Sequence, residues 1–275
     1  MTSFDELLHL FGSAENLPHL PESPLELANL LEKSDPNPAD IERHILADPA
    51  LTAGVFRAAS SAFYGRGKAP STIREATNLL GHRSLRALAI ALWTNALTRT
   101  NIKTPHFRID RFVGNANFVS NLSVTIAQSQ SARGNWTNEE LLAAGTLHNV
   151  LFALLAATSP EEFSRTYEFA QTGQITLDQS FTMLFSHPIS DLAPRTAETL
   201  RLPPLFINAA TAISQDSEDK TIQSLQTAII IAESIGNNLT TWLNPITSTP
   251  IELSEDEITH LIAQTAARPD ILVAA

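Results

Sequence analysis

TNEELLAAGTLHNVLFALLAA, residues 137–157, is the stretch whose reading decides the fold. Thr137 and Glu140 stand three apart, the spacing at which a hydroxyl and a carboxylate satisfy each other's backbone N–H groups at a helix start. From Leu141 to Ala157 the chain is almost wholly apolar, with His148 and Asn149 in its middle. That run is shorter than the ~20 residues a membrane-spanning helix needs. It also carries two polar residues at its centre. The stretch therefore predicts a central helix buried on all sides in protein.

The same start signal recurs outward from it. Ser23/Glu26, Thr72/Glu75, Ser159/Glu162 and Ser254/Glu257 repeat the spacing. Pro24, Pro38, Pro49 and Pro160 directly follow candidate caps, where a missing N–H costs nothing. Asn37 and Asp48 are the caps before two of them. Leu27, Leu30 and Leu31, then Val55, Phe56 and Ala59, then Leu85, Leu88, Ala89 and Leu92 repeat at helical spacing. Gly81 is placed to end one helix so that the next leaves at an angle. No segment alternates apolar and polar residues long enough for a strand, and no Asn-Gly hairpin signal occurs. The expected fold is all-α, with roughly a dozen helices.

The polar stretch Thr100–His106 predicts a seam. It divides a 1–14 extension and a 15–100 helical lobe from a second lobe over 101–275. Apolar residues make up 43% of the 275, enough for a substantial core. There is no Cys, which removes disulfides, iron–sulfur clusters, Cys-ligated zinc and thiol nucleophiles. The acidic start Met1–Glu6 does not read as a secretory signal, so a cytoplasmic location is expected. With 18 basic and 29 acidic residues the net charge is −11, which argues against nucleic acid as a partner. Against this background Arg57, Arg66, Lys68, Arg74, Arg83 and Arg86 crowd into thirty residues beside one acid, Glu75.

Two N-terminal stretches carry a family resemblance. One is Asp48-Pro49-Ala50-Leu51-Thr52-Ala53 with Ser60-Ser61-Ala62-Phe63-Tyr64-Gly65. The other is Ser71-Thr72-Ile73-Arg74-Glu75-Ala76, running through Leu79-Leu80-Gly81 to Leu85-Arg86. Together with Gly145-Thr146-Leu147-His148-Asn149 and Leu202-Pro203-Pro204, they resemble the HDOD domain. This is a bacterial signalling module distantly related to HD phosphohydrolases. The resemblance spans roughly residues 15–265. It implies two packed helical lobes, the second HD-like, and a regulatory output or scaffold role.

It also frames the enzyme question. HD phosphohydrolases need a His, an adjacent His-Asp pair and a distant Asp, converging on a metal that activates water. Here His148 is followed by Asn149, and an amide brings no negative charge to a cation. Phe112–Phe118, where the earlier His would fall, holds Gly114, Asn115 and Asn117. The family's later His aligns with Ile189, two residues beyond His187. No two of the eight His residues lie within four positions of each other. His-Asp spacings of four at 5/9, 44/48, 106/110, 187/191 and 256/260 read as exposed helix or cap residues. Phosphate loops and nucleophile elbows are absent from the sequence. Gly65-Arg66-Gly67-Lys68 reads as a turn, and Phe63 and Tyr64 as packing aromatics, like Trp93, Trp136 and Trp242.

The resulting expectation is a non-catalytic module with no catalytic residue, no metal and no cofactor. His148 and Asn149 mark a degenerate HD position, and His148 is a core histidine bonded to a carbonyl or to Asn149. The expected partners are proteins of a bacterial signalling pathway, not a membrane. Arg66, Lys68, Arg83 and Arg86 form a candidate docking or anion surface, with a nucleotide second messenger as a further candidate ligand. The alternative is a metal-dependent phosphohydrolase or phosphodiesterase with a reduced HD site.

Overall fold

The computed structural model describes residues 2–60, 69–97, 100, 102–104, 106–132, 134, 136–212, 217–234 and 250–266. These form fourteen α-helices and no strand. They are α1 (Phe4–Phe11), α2 (Glu22–Leu31), α3 (Pro38–Ala47), α4 (Pro49–Ala59), α5 (Ile73–Ala96), α6 (Ile109–Ser129) and α7 (Asn138–Leu147). There follow α8 (Val150–Thr158), α9 (Pro160–Gly173), α10 (Leu177–Phe185), α11 (Ala193–Leu200), α12 (Pro204–Ala212), α13 (Lys220–Ser234) and α14 (Glu255–Ala266). A 3-10 segment, Ile189–Leu192, precedes α11.

Several helix starts follow the side-chain logic of the sequence. Thr137 and Glu140 cap α7 reciprocally, and Ser254 and Glu257 do the same for α14. Asn37 and Asp48 cap α3 and α4, each with Pro in the next position. Thr72 accepts from the Glu75 N–H, but the Glu75 carboxylate turns to the N–H and hydroxyl of Ser71. Two expected boxes do not form. Helix α2 starts two residues earlier than a Ser23 cap implies, at Glu22, which places Ser23 inside it facing His44 Nε2 at 3.4 Å. Ser159 makes no side-chain cap, because Glu162 accepts instead from the Thr2 N–H and from Arg165. Two others were not foreseen: Ser3 with Glu6 at α1, and Thr176 with Gln179 at α10.

The helices gather into two units. One, Leu20–Ala96, holds α2 to α5, with the long α5 packed against α2 and α4. Trp93 is fully buried in it, as are Leu27, Val55, Ala59 and Leu85. Helix α5 bends at Gly81, whose φ of +73° lies where a side chain is strained. Phe63, Tyr64, Gly65 and Gly67 lie outside the described residues.

The other unit joins Met1–His19 to Leu97–Arg268. Residues 1–14, read as an extension, thus contribute α1 to the later unit. Helix α6 is its axis, packed by α7, α13 and α14, while α8, α9 and α10 follow one another and α12 returns to α7. The apolar run of the central stretch is buried as expected, with Leu141, Ala144, Val150 and Leu154 at zero exposure. It is two helices, however, broken at His148 and Asn149. Asn138–Thr158 is also long and apolar enough to cross a membrane by composition, and 89% of that window lies inside the protein.

Candidate functional site

The break between α7 and α8 creates the site. Helix α6 reaches it through small residues: the Gly145 backbone lies directly on Ser120, where an added β-carbon would stand 2.5 Å from the Ser120 Cα. The Ser120 hydroxyl donates to the Leu142 carbonyl at 2.8 Å, which pins the crossing. That close approach carries Asn115 onto His148. Both are buried, at 1% and 3% exposure, and Asn149 beside them at 6%.

His148 has both ring nitrogens engaged. Nδ1 is 2.5 Å from the Gly145 carbonyl, and Nε2 is 3.2 Å from the Asn115 amide nitrogen. A carbonyl only accepts, so Nδ1 carries the proton and donates. In the neutral ring Nε2 then holds a lone pair and accepts from Asn115. The His148 ring therefore serves a carbonyl at the helix break, three residues back along its own chain. Burial pulls its pKa from 6.5 down to about 4, against the opposing effect of the Gly145 carbonyl, so the ring is neutral at physiological pH. The expected bond to a carbonyl is present. The second partner is Asn115 rather than Asn149.

These residues do not fit a divalent metal. The nitrogen lone pair that would bind one is taken by an amide donor, and the neighbouring side chains are amides with no charge to offset a cation. Among the described residues no three His, Asp or Glu side chains converge on a common point. Ile189 is a buried apolar residue of the 3-10 segment. His187 instead bonds Asp191 at 3.0 Å and stacks on Phe4. Burial pushes the Asp178 carboxyl up; the Ile189 N–H works against this and the Asp191 charge with it. One polar atom in the site has no partner: the Asn115 carbonyl oxygen, buried beside His148.

The basic cluster divides. Arg66 and Lys68 lie outside the described residues. Arg74 makes two hydrogen bonds to Glu42, at 2.7 and 3.1 Å. Arg86, expected on the docking surface with Arg83, has a side chain only 17% exposed and reaches Glu32, the C-cap of α2, at 3.4 Å. It ties two helices of its own unit together, which takes it off the candidate surface. Arg83 remains exposed.

Two features escaped the sequence reading. In the sequence Asn115 reads only as a residue that is not His. Its position five residues before Ser120, opposite Gly145, was the available signal. The docking of α1 had its signal in Ser3 and Glu6, the capping spacing nearest the start of the chain.

Comparison with known proteins places this arrangement. The HDOD domain model matches residues 17–215. The chain belongs to the HDOD family. A crystal structure of an HDOD domain protein of unknown function from Geobacter sulfurreducens matches with a TM-score of 0.69 at 20% identity, covering 97% of this chain and 91% of that one. A Shewanella amazonensis protein, assigned to the phosphohydrolases by name only, matches with a TM-score of 0.62 at 23% identity over 91% and 84%. A Marinobacter aquaeolei protein, named in the same way for signal transduction, gives 0.63 at 18% over 100% and 60%. At such identities these likenesses carry the fold alone. No curated protein matches the sequence.

Proposed function

We propose that this HDOD chain is a non-catalytic, cytoplasmic output or scaffold module of bacterial signal transduction, acting through protein–protein contact. One observation carries the reading. The retained histidine is built into the fold, with Nδ1 on the Gly145 carbonyl and Nε2 occupied by the Asn115 amide. Metal chemistry at this position would first have to displace Asn115. It would then need a carboxylate and a further imidazole that Asn149 and Ile189 do not supply. Family membership supports the signalling role, and a Marinobacter aquaeolei relative of the same fold bears a signal-transduction name.

The experiment is elemental analysis of gently purified protein, together with phosphodiesterase and phosphomonoesterase assays in added manganese, iron and zinc. The expected result is well under one equivalent of metal and no turnover that His148→Ala abolishes. One equivalent of a transition metal, or activity lost in that variant, would put the reduced-site phosphohydrolase in its place.

A further inference from the structure

The first helix lies before the stretch matched by the family model, yet it is built into the later unit. It packs on the 3-10 segment and on α11, both inside the matched span. Leu7 and Phe11 are fully buried, and Phe4 stacks on the His187 imidazole at 4.1 Å with the rings 13° apart. His187 is itself held by Asp191. These three residues, at i, i+3 and i+7, form one face of the helix. Its two ends are fastened separately. The Thr2 N–H donates to Glu162 at 3.1 Å, and the Arg195 side chain lies so near Gly12 that an added β-carbon would stand 2.5 Å from Nε. A cation there also suits the negative end of the helix.

Among the described residues, the helix ends of α1 are satisfied mainly from within. Its N-terminal donors are served from within by Ser3 and Glu6, and the Gly12 N–H bonds its own last turn. Leaving the seat would release the Thr2 N–H from Glu162 and expose the Leu7 and Phe11 face, while the helix keeps its own caps. Its outer side borders an open groove of about 600 Å³ along Thr2, Asp5, Glu6, His9 and Leu10. Residues Gly12–Pro21, which follow it, contain turns and extended chain without helix, with Leu17 among them buried. A short amphipathic helix with self-sufficient caps, held by one face, is how an apolar groove takes a helical ligand.

We propose that α1 is a releasable strap. It fills a helix-binding seat on the 3-10 segment and α11, and yields it to a partner helix with the same Phe-x-x-Leu-x-x-x-Phe face. The inference rests on the interaction-module reading and names where such a module would take its partner.

The test uses the full chain and a labelled peptide of residues 1–14 as the probe. In wild type, amides of Leu7–Phe11 should exchange with solvent at least tenfold faster than those of α6. The peptide should bind the Leu7→Asp variant at least tenfold more tightly than wild type, whose own strap competes. A peptide carrying Leu7→Asp should not bind. Should Leu7→Asp compromise folding, Phe4→Ala gives the same comparison in milder form. Exchange of α1 only with global unfolding, or equal peptide binding to wild type and both variants, overturns the proposal. Bound metal with peptide binding intact would overturn the non-catalytic reading and leave the seat standing.

Discussion

Gly145 of α7 and Ser120 of α6 touch backbone to backbone. An added β-carbon on Gly145 would lie 2.5 Å from the Ser120 Cα and 2.7 Å from its N, and neither atom can move without moving α6. Alanine for glycine inside a helix normally gains about 1 kcal/mol. Here the sign reverses. Gly145→Ala should lose about 1–3 kcal/mol in chemical denaturation, as overpacked cores do. A neutral or stabilising result would mean that the helices do not cross this closely.

The histidine at the helix break makes stability depend on pH. The folded chain holds His148 at about 4, and the free side chain titrates at 6.5. Between those values the unfolded chain binds a proton that the folded chain refuses. The contribution is therefore complete above pH 6.5 and falls as pH drops towards 4. A depression of this size corresponds to about 3 kcal/mol once pH is below 4. Denaturant midpoints from pH 7 to 4 should decline in wild type and decline less in His148→Gln. Parallel curves for the two would show that the ring is not the buried, neutral group described above.

His148→Ala removes the donor to the Gly145 carbonyl and the acceptor for Asn115 together. Two buried groups lose their partners, so the loss should be about 1–3 kcal/mol at pH 7. Asn115→Ala removes the donor to Nε2 but also the buried carbonyl oxygen that has no partner. It should therefore cost less than His148→Ala. A cost for Asn115→Ala equal to or above that of the histidine variant would contradict this arrangement.

The fold was legible because its signals are local. Proline after Asn37 and Asp48, and the boxes at Thr137 and Ser254, act within one turn of chain, and the structure keeps them. The capping signals that failed were overridden from a distance. Ser23 faces a histidine twenty-one residues away, and Glu162 is drawn to the N-terminal backbone 160 residues away. The site was half legible for the same reason. That His148 needed a carbonyl could be read from its apolar setting. That Asn115 would be its other partner depended on the crossing of α6 and α7, which no local spacing encodes. Charge was least legible: Arg83 and Arg86 share a helix side by spacing, but Glu32 at the C-cap of α2 claims one of them.

Gly81 separates a conformational demand from a steric one. Its φ is +73°, yet nothing lies within 4 Å of where a β-carbon would stand. Gly81→Ala should thus cost about 1–2 kcal/mol through the backbone alone. Gly81→Asn should cost less, since Asn enters the left-handed region more readily. Equal losses for both variants in thermal unfolding would point to a packing cause instead.

The two arginines of α5 should part company when changed singly. Arg86→Glu sets a second carboxylate against Glu32 in a partly buried position and removes the tie to α2. It should lose about 1 kcal/mol or somewhat more, above the usual value for exposed pairs. Arg83→Glu reverses an exposed charge and should leave stability within about 0.5 kcal/mol of wild type. If the basic segment docks an acidic surface, binding of a captured partner should weaken in Arg83→Glu, and more so at low salt, where charge contacts are least screened. If Arg83→Glu leaves both stability and partner binding unchanged while Arg86→Glu unfolds early, the cluster serves the fold alone. A docking role for Arg83 is then excluded.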